Sequence, residues 1–445
     1  MTKIVLIGAG SHVFTRHFVS DVLSYPKLRD STITLMDIAK EPLDLITAFA
    51  KKLVEQHGFE TQIESTTNRR EALEGADYVL TTFEARGERE TEADKELRGK
   101  YAIGIRESGG DSCVTPGGVF MALRHIPIIL DICHDMEELC PDAWLLSYTN
   151  PVPAVTWAVN DYTHIKNVGL CHSVQGTAAR LARYLDVPFD EISYWAAGIN
   201  HMAWYLELKW RGKDAYPLLR ERFKDPEIYS GPDATVFGPD VVRAEIFKAF
   251  GYFVSESSLQ MSASVPYFKR RPDLIERFKT DLYDERKKEL MGVTVHREQD
   301  EELRQQLSTG YKFPISHSGE YASIIIHSIE TGIPSRINAN VRNNGLITNL
   351  LEGCCVEVPA LVDKEGIHPC YVGALPPQCA ALNQTNINVQ KLTVKAAIEK
   401  DKTSIFHALL LDPLTSATLT IDEIQRMLDE IFQLEKEYGY LEDFK

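Results

Sequence analysis

Short apolar runs ending on glycine, aspartate, asparagine or cysteine alternate with helical stripes through the first half of the chain. Lys3–Ile7 is a continuous β-rich run closed by Gly8, the pattern of a strand buried on both faces. From His12 to Tyr25 the spacing is helical, with Phe14, Phe18 and Val22 four apart. Thr32–Met36 predicts a second strand ending at Asp37, and Leu43–His57 a helix. Strands follow at Asp77–Thr82, Trp144–Tyr148 and Asn167–Cys171, with helices at Ile126–Cys140 and near Thr177–Leu185. Such alternation implies a parallel sheet covered on both faces. After about Ala196 the pattern weakens into polar helical pieces and strand-like segments such as Ser335–Val341, closing with a helix over Ile421–Tyr438.

The fold class expected is therefore α/β. An N-terminal Rossmann-like, doubly wound parallel sheet (1–195) precedes a mixed α+β C-terminal substrate and oligomerisation domain (196–445). Ligands of such sheets sit beyond the carboxyl ends of the strands. Gly8, Asp37, Thr82, Asn150 and Cys171 should converge there.

Composition changes this picture little. Hydrophobic residues make up 44% and charged residues 25%, as in ordinary globular chains. The net charge of −16 argues against nucleic acid and anionic membranes as partners. No leader-like segment and no long apolar run are evident, and the eight cysteines read as reduced thiols, so a cytoplasmic location is expected. Adjacent Cys354 and Cys355 read as core residues.

Two constellations carry chemistry. Gly8-x-Gly10-Ser11-x-x-Phe14 lies between a strand and a helix, where glycines let the backbone approach a pyrophosphate and the helix N-terminus faces it. Phe14 stands near the place of the usual third glycine. Asp37 ends the second strand, where an acid binds the ribose 2′-OH and favours NAD over NADP. A structural turn with Asp37 as a cap is the alternative. The second constellation is Cys171-His172-Ser173-Val174 with Gly198-Ile199-Asn200-His201. Cys171 and His201 could hold one divalent metal of the mid-row transition type, or be a core cysteine and a core histidine.

The ordered motifs IVLIGAGSHVF, DYVLTTFEARG, GDSCVTPGG, SYTNPVP, CHSVQGT, GINHMAW, GYFVSESS, EYASIII, VEVPALVDKEGIHP, VGALPPQCAALNQTNINVQKLTVKAA and LDPLTSA run through nearly the whole chain. Together they resemble glycoside hydrolase family four, the NAD-dependent exception to two-carboxylate glycoside hydrolysis. The resemblance implies a lactate/malate dehydrogenase-like architecture, NAD and Mn²⁺ as cofactors, and a homodimer or homotetramer. It assigns Gly8, Gly10, Ser11, Phe14, Asp37 and Thr82 to NAD, Cys171 and His201 to the metal, and Asn150, His172, Asn200 and His317 to the sugar. The Cys-His-Ser-Val form resembles the α-galactosidase branch and an unphosphorylated α-glycoside, with α-glucoside and α-uronide next in order. The implied reaction is oxidation at sugar carbon 3, proton loss at carbon 2, departure of the aglycone, water addition and re-reduction. His172 occupies the place of the leaving-group acid.

The chain departs from the family where the base is expected. Gln260, Ala263 and Ser264 stand in the places of His, Glu and Tyr, and His317 replaces an arginine. Tyr267 and Tyr252 are the candidate replacement bases. A free-sugar or sugar-acid dehydrogenase or epimerase, without the elimination, is the alternative function. Retained Cys171 and His201 speak against a non-catalytic NAD-binding protein.

Overall fold

The computed structural model describes residues 1–85, 88–101, 114–231, 234–235, 238–280 and 293–444. The strands are β1 (Lys3–Ile7), β2 (Thr32–Met36), β3 (Gln62–Thr66), β4 (Tyr78–Thr81), β5 (Trp144–Ser147), β6 (Lys166–Gly169), β7 (Ile192–Ile199), β8 (Met202–Trp210), β9 (Lys213–Asp214), β10 (Ser335–Arg342), β11 (Cys355–Asp363) and β12 (Gly366–Pro369). All join one sheet. Its first half is parallel in the order 3-2-1-4-5-6, the order of dinucleotide-binding sheets. The α/β expectation holds, and the alternating apolar runs are the reason: β1, β2 and β4 are buried almost throughout.

Beyond β6 the sheet continues with β10, β11, β7, β8 and β9, with β12 beside β11, and every pairing there is antiparallel. A cut at 195/196 falls inside β7, so a single sheet runs through both halves.

Three local differences from the sequence pattern have simple causes. β3 (QIEST) was not expected, because all five of its residues are exposed or half-buried and it is the parallel edge. The helix expected at Ile126 begins at Pro116, because proline suits a first helical turn and the following Gly117 and Gly118 are buried there. Residues 110–113 of the GDSCVTPGG motif, and residues 86–87 of DYVLTTFEARG, lie outside the described residues. That same helix, Pro116–Leu139, is the one described helix long and apolar enough on average to cross a membrane, although Arg124, His125 and Asp131 interrupt it, so no unbroken apolar run of that length exists. Of its apolar window 72% is buried inside the protein, as suits a core helix. It packs against Pro377–Glu399 and Val152–Tyr162. Cys354 and Cys355 are buried as expected, and burial pushes the Cys354 thiol up to about 12.

Candidate active site

The glycine turn is built as the motif requires. The Gly8 and Ala9 amides both donate to the Met36 carbonyl at 3.0 Å. Gly8 has φ +88°, and a Cβ there would lie 2.1 Å from the Thr82 carbonyl oxygen. The Gly10 amide donates to Asp37 Oδ2 at 2.8 Å, and a Cβ on Gly10 would meet that oxygen at the same distance. Both glycines are thus enforced by β2 and β4. Asp37 Oδ1 accepts from the Ala39 amide. The carboxylate therefore does cap its own loop, and it does so at the lip of the turn. Ser11 occupies the cap position of helix His12–Ser24, its carbonyl accepting from the Thr15 amide while its side chain makes no cap bond, which leaves the first-turn N–H groups to face the turn. Phe14 packs edge-on against Tyr148 at 4.7 Å, which explains a bulky residue where a glycine is usual.

Cys171 follows β6 and precedes helix Ser173–Leu185, whose cap position is His172. His201 lies in the two-residue turn between Ile199 and Met202, at the left-handed φ of +62°. Such a conformation is uncommon for a non-glycine residue and gathers at functional sites. It brings His201 Nε2 to 3.4 Å from Cys171 Sγ, both groups being buried. Burial by itself would raise the Cys171 thiol. The adjoining His201, with His172 and Ser173, overrides it and brings the thiol down to about 6. A thiolate and an imidazole in contact form the donor pair expected of a transition metal.

His172 Nδ1 lies 3.3 Å from Glu320 Oε1. That partner, then the Cys171 thiolate and Glu256, raises the imidazole to about 9, so it carries a proton at neutral pH. Glu320 is delivered by the loop before helix Tyr321–Thr331. The loop is stitched to helix His12–Ser24, since Ser316 bonds Ser20 and the Ser318 amide donates to Asp21 Oδ1. His317 lies in this loop and its Nε2 is 2.6 Å from the Tyr25 hydroxyl. Asn150 is held from behind: its carbonyl lies 2.6 Å from His125 Nδ1, while His125 Nε2 accepts from the Ala85 amide.

Glu256 is the second carboxylate acting on His172. Its φ is +129°, and its carbonyl accepts from Arg243 Nη1 at 2.6 Å. Glu357 of β11 is fully buried beside Cys171, His201 and Asn200, and burial first, the Cys171 charge second, holds its carboxyl well above the usual range. Glu256, Glu320 and Glu357 were missed in the sequence. Only Glu357 left a signal there, as a lone acid in the apolar run Cys355-Val356-Glu357-Val358.

The departures from the family are placed as follows. Ser264 is buried and its hydroxyl donates to the Gln260 carbonyl in its own helix, so it is no base. Tyr267 is partly exposed, packing on Phe250 and Phe268. Tyr252 packs edge-on to Tyr216 and lines a surface groove with Phe250, Glu207 and Gln378.

The sequence model of the family 4 glycosyl hydrolases matches residues 3–187, and that of the family's C-terminal domain matches 196–415. The chain belongs to glycosyl hydrolase family 4. It is 38% identical to an α-galactosidase of Bacillus subtilis (strain 168), over 97% of this chain and 98% of that one. It is 35% identical to an α-galactosidase of Rhizobium meliloti (strain 1021), over 96% and 87%. A 6-phospho-α-glucosidase from gut microorganisms, solved in complex with NAD and Mn²⁺, has the same fold at TM-score 0.81 and 20% identity, covering 98% of each chain. Malate dehydrogenase of Plasmodium falciparum superposes at TM-score 0.53 and 13% identity, over 90% of this chain and 99% of that one. The dehydrogenase-like architecture implied by the motifs is therefore present.

Proposed function

We propose that this family 4 member is an NAD- and Mn²⁺-dependent glycosidase of a small unphosphorylated α-glycoside, an α-galactoside before an α-glucoside or α-uronide. The observation that carries the reading is the 3.4 Å Cys171–His201 pair at the end of β6, in a sheet whose β1–β2 end carries the Gly8–Asp37 turn. The residues fit both groups. The turn has the backbone clearance and free helix N-terminus that a dinucleotide needs. Buried polar atoms of Thr149, Gln175, Glu256, Gln260 and Glu320 have no protein hydrogen-bond partner, as suits a cleft lined for a polar ligand. Among the described residues no three His, Cys, Asp or Glu side chains form a metal-holding group, so in this reading the protein donors are Cys171 and His201. The two α-galactosidase relatives support the choice of sugar.

When bound, NAD supplies a reversible hydride acceptor and Mn²⁺ a Lewis acid. The chain's own groups do the rest. Asp37 receives the ribose hydroxyls, Asn150 orients the sugar, and protonated His172, steadied by Glu320, donates to the leaving oxygen. The Ser264 bond to Gln260 favours a second reading, in which elimination is absent and the protein is a sugar dehydrogenase or epimerase.

The test is release of p-nitrophenol from nitrophenyl α- and β-glycosides with NAD⁺, Mn²⁺ and a thiol reductant, omitting each in turn. The glycosidase requires all three and accumulates almost no NADH. Stoichiometric NADH from free sugars, without release of nitrophenol from any glycoside, establishes the second reading instead. Asp37→Ala is expected to raise the KM for NAD⁺ and relax discrimination against NADP⁺. Steady-state kinetics with both nucleotides checks this, and unchanged constants would refute the role of Asp37.

A further inference from the structure

β11 lies between the strands that carry the two metal-binding candidates. Asn340 of β10 pairs with Gly169 of β6 on one side and with Glu357 of β11 on the other. Glu357 pairs in turn with Gly198 of β7. One row of residues, Gly169–Asn340–Glu357–Gly198, thus crosses the sheet. Cys171 lies just past one end of it and His201 just past the other. Glu357 is fully buried, with Asn200 as the polar side chain against its carboxyl, and neither oxygen makes a close hydrogen bond. A carboxyl so weakly satisfied is a costly occupant of a central strand, where an apolar residue of similar volume packs better. A cation beside it removes that cost. A divalent ion held by one thiolate and one neutral imidazole retains a net positive charge, which a single further carboxylate neutralises.

We propose that Glu357 is the buried counter-charge of the Cys171–His201 divalent-cation centre, a positioning residue that acts from behind the two ligands and does not bind the metal itself. The inference rests on the metal site proposed above. Outer partners of metal ligands fix the orientation of those ligands and tune affinity through charge. Glu357 does so by facing the Asn200–His201 turn, whose strained backbone sets the imidazole.

The test is Mn²⁺ binding by the metal-depleted full-length chain, with free Mn²⁺ followed by electron paramagnetic resonance. Glu357→Gln is expected to weaken binding about 10- to 100-fold, the range for outer partners of metal ligands. The Tm of metal-free Glu357→Gln should be no lower than that of the wild type. Glu357→Asp, which keeps the charge, should recover much of the affinity. Wild-type affinity in Glu357→Gln overturns the proposal. So does a fall in metal-free Tm with Asp and Gln equally impaired, since that describes a packing role. The controls separate the two levels of inference. If wild type binds Mn²⁺, Cys171→Ser does not and Glu357→Gln does, only the role of Glu357 fails. A wild type that takes up no Mn²⁺ removes the metal site as well.

Discussion

Cys171→Ser is expected to abolish Mn²⁺-dependent turnover while leaving the protein folded. The substitution is nearly isosteric, and the site is buried against His201, so packing changes little. The chemistry changes much more. The His201 contact holds the native thiol low, near 6, so that at neutral pH it is largely the anionic, polarisable thiolate that a transition metal prefers. A serine hydroxyl at this position stays neutral and hard. The loss in kcat/KM should be at least about 10²-fold, the upper end of what changing a mere outer partner of a metal ligand costs. The measurement is glycoside hydrolysis across a Mn²⁺ titration, with Tm as the folding control. Full metal-dependent activity in the variant would remove Cys171 from the metal site. A second consequence separates the thiolate from a packing role. The wild type should lose activity in air and regain it with a thiol reductant, as expected of a low-pKa thiol oxidised to its first, reversible stage. The serine variant should show no such cycle.

The nucleotide half of this site is legible in sequence because local rules determine it. An apolar run must be a strand, Gly8 and Gly10 must clear Thr82 and Asp37, and an acid must end β2. The Cys171–His201 contact is different. It depends on a turn at residue 201 and on two strands, β10 and β11, inserted between β6 and β7 in space. Nothing in the spacing of Cys171 and His201 reports that insertion, so the metal reading came from resemblance. Glu320 was missed for the same reason: it reaches His172 only because Ser316 and Ser318 tie its loop to Ser20 and Asp21. β3 was missed because an edge strand can be polar on most of its residues. The altered stretch from Gln260 to Ser264 was legible as a departure, yet its consequence was not. Only the structure shows that the Ser264 hydroxyl is already used by its own helix.

Arg243→Leu is expected to destabilise the fold and to cut activity together. Arg243 is almost wholly buried and forks onto Asp240, with Nη2 to Oδ2 at 2.6 Å and Nε to Oδ1 at 2.8 Å. Ser258 and Tyr184 hydroxyls also donate to that carboxylate. Deleting the guanidinium leaves Asp240 with those two hydroxyls alone, and removing one partner of a buried ion pair typically costs about 3–5 kcal/mol. The same guanidinium donates to the Glu256 carbonyl at 2.6 Å and to Thr177 Oγ1, and the Thr177 hydroxyl donates to that carbonyl at 3.3 Å, so Arg243 is the closer of two donors on Glu256, whose φ is +129°. A strained residue persists only while its surroundings hold it. Glu256 should therefore relax away from His172, lowering kcat more than it raises KM. Denaturant unfolding and steady-state kinetics on the single variant check both effects. The double variant Asp240→Asn with Arg243→Leu supplies the decisive comparison. It removes both charges, so it should recover part of the lost stability without recovering kcat, because the Glu256 carbonyl keeps only the longer Thr177 bond. Recovery of both would mean that Glu256 needs no such anchor. A single variant as stable as the wild type would mean that the pair contributes nothing to the fold.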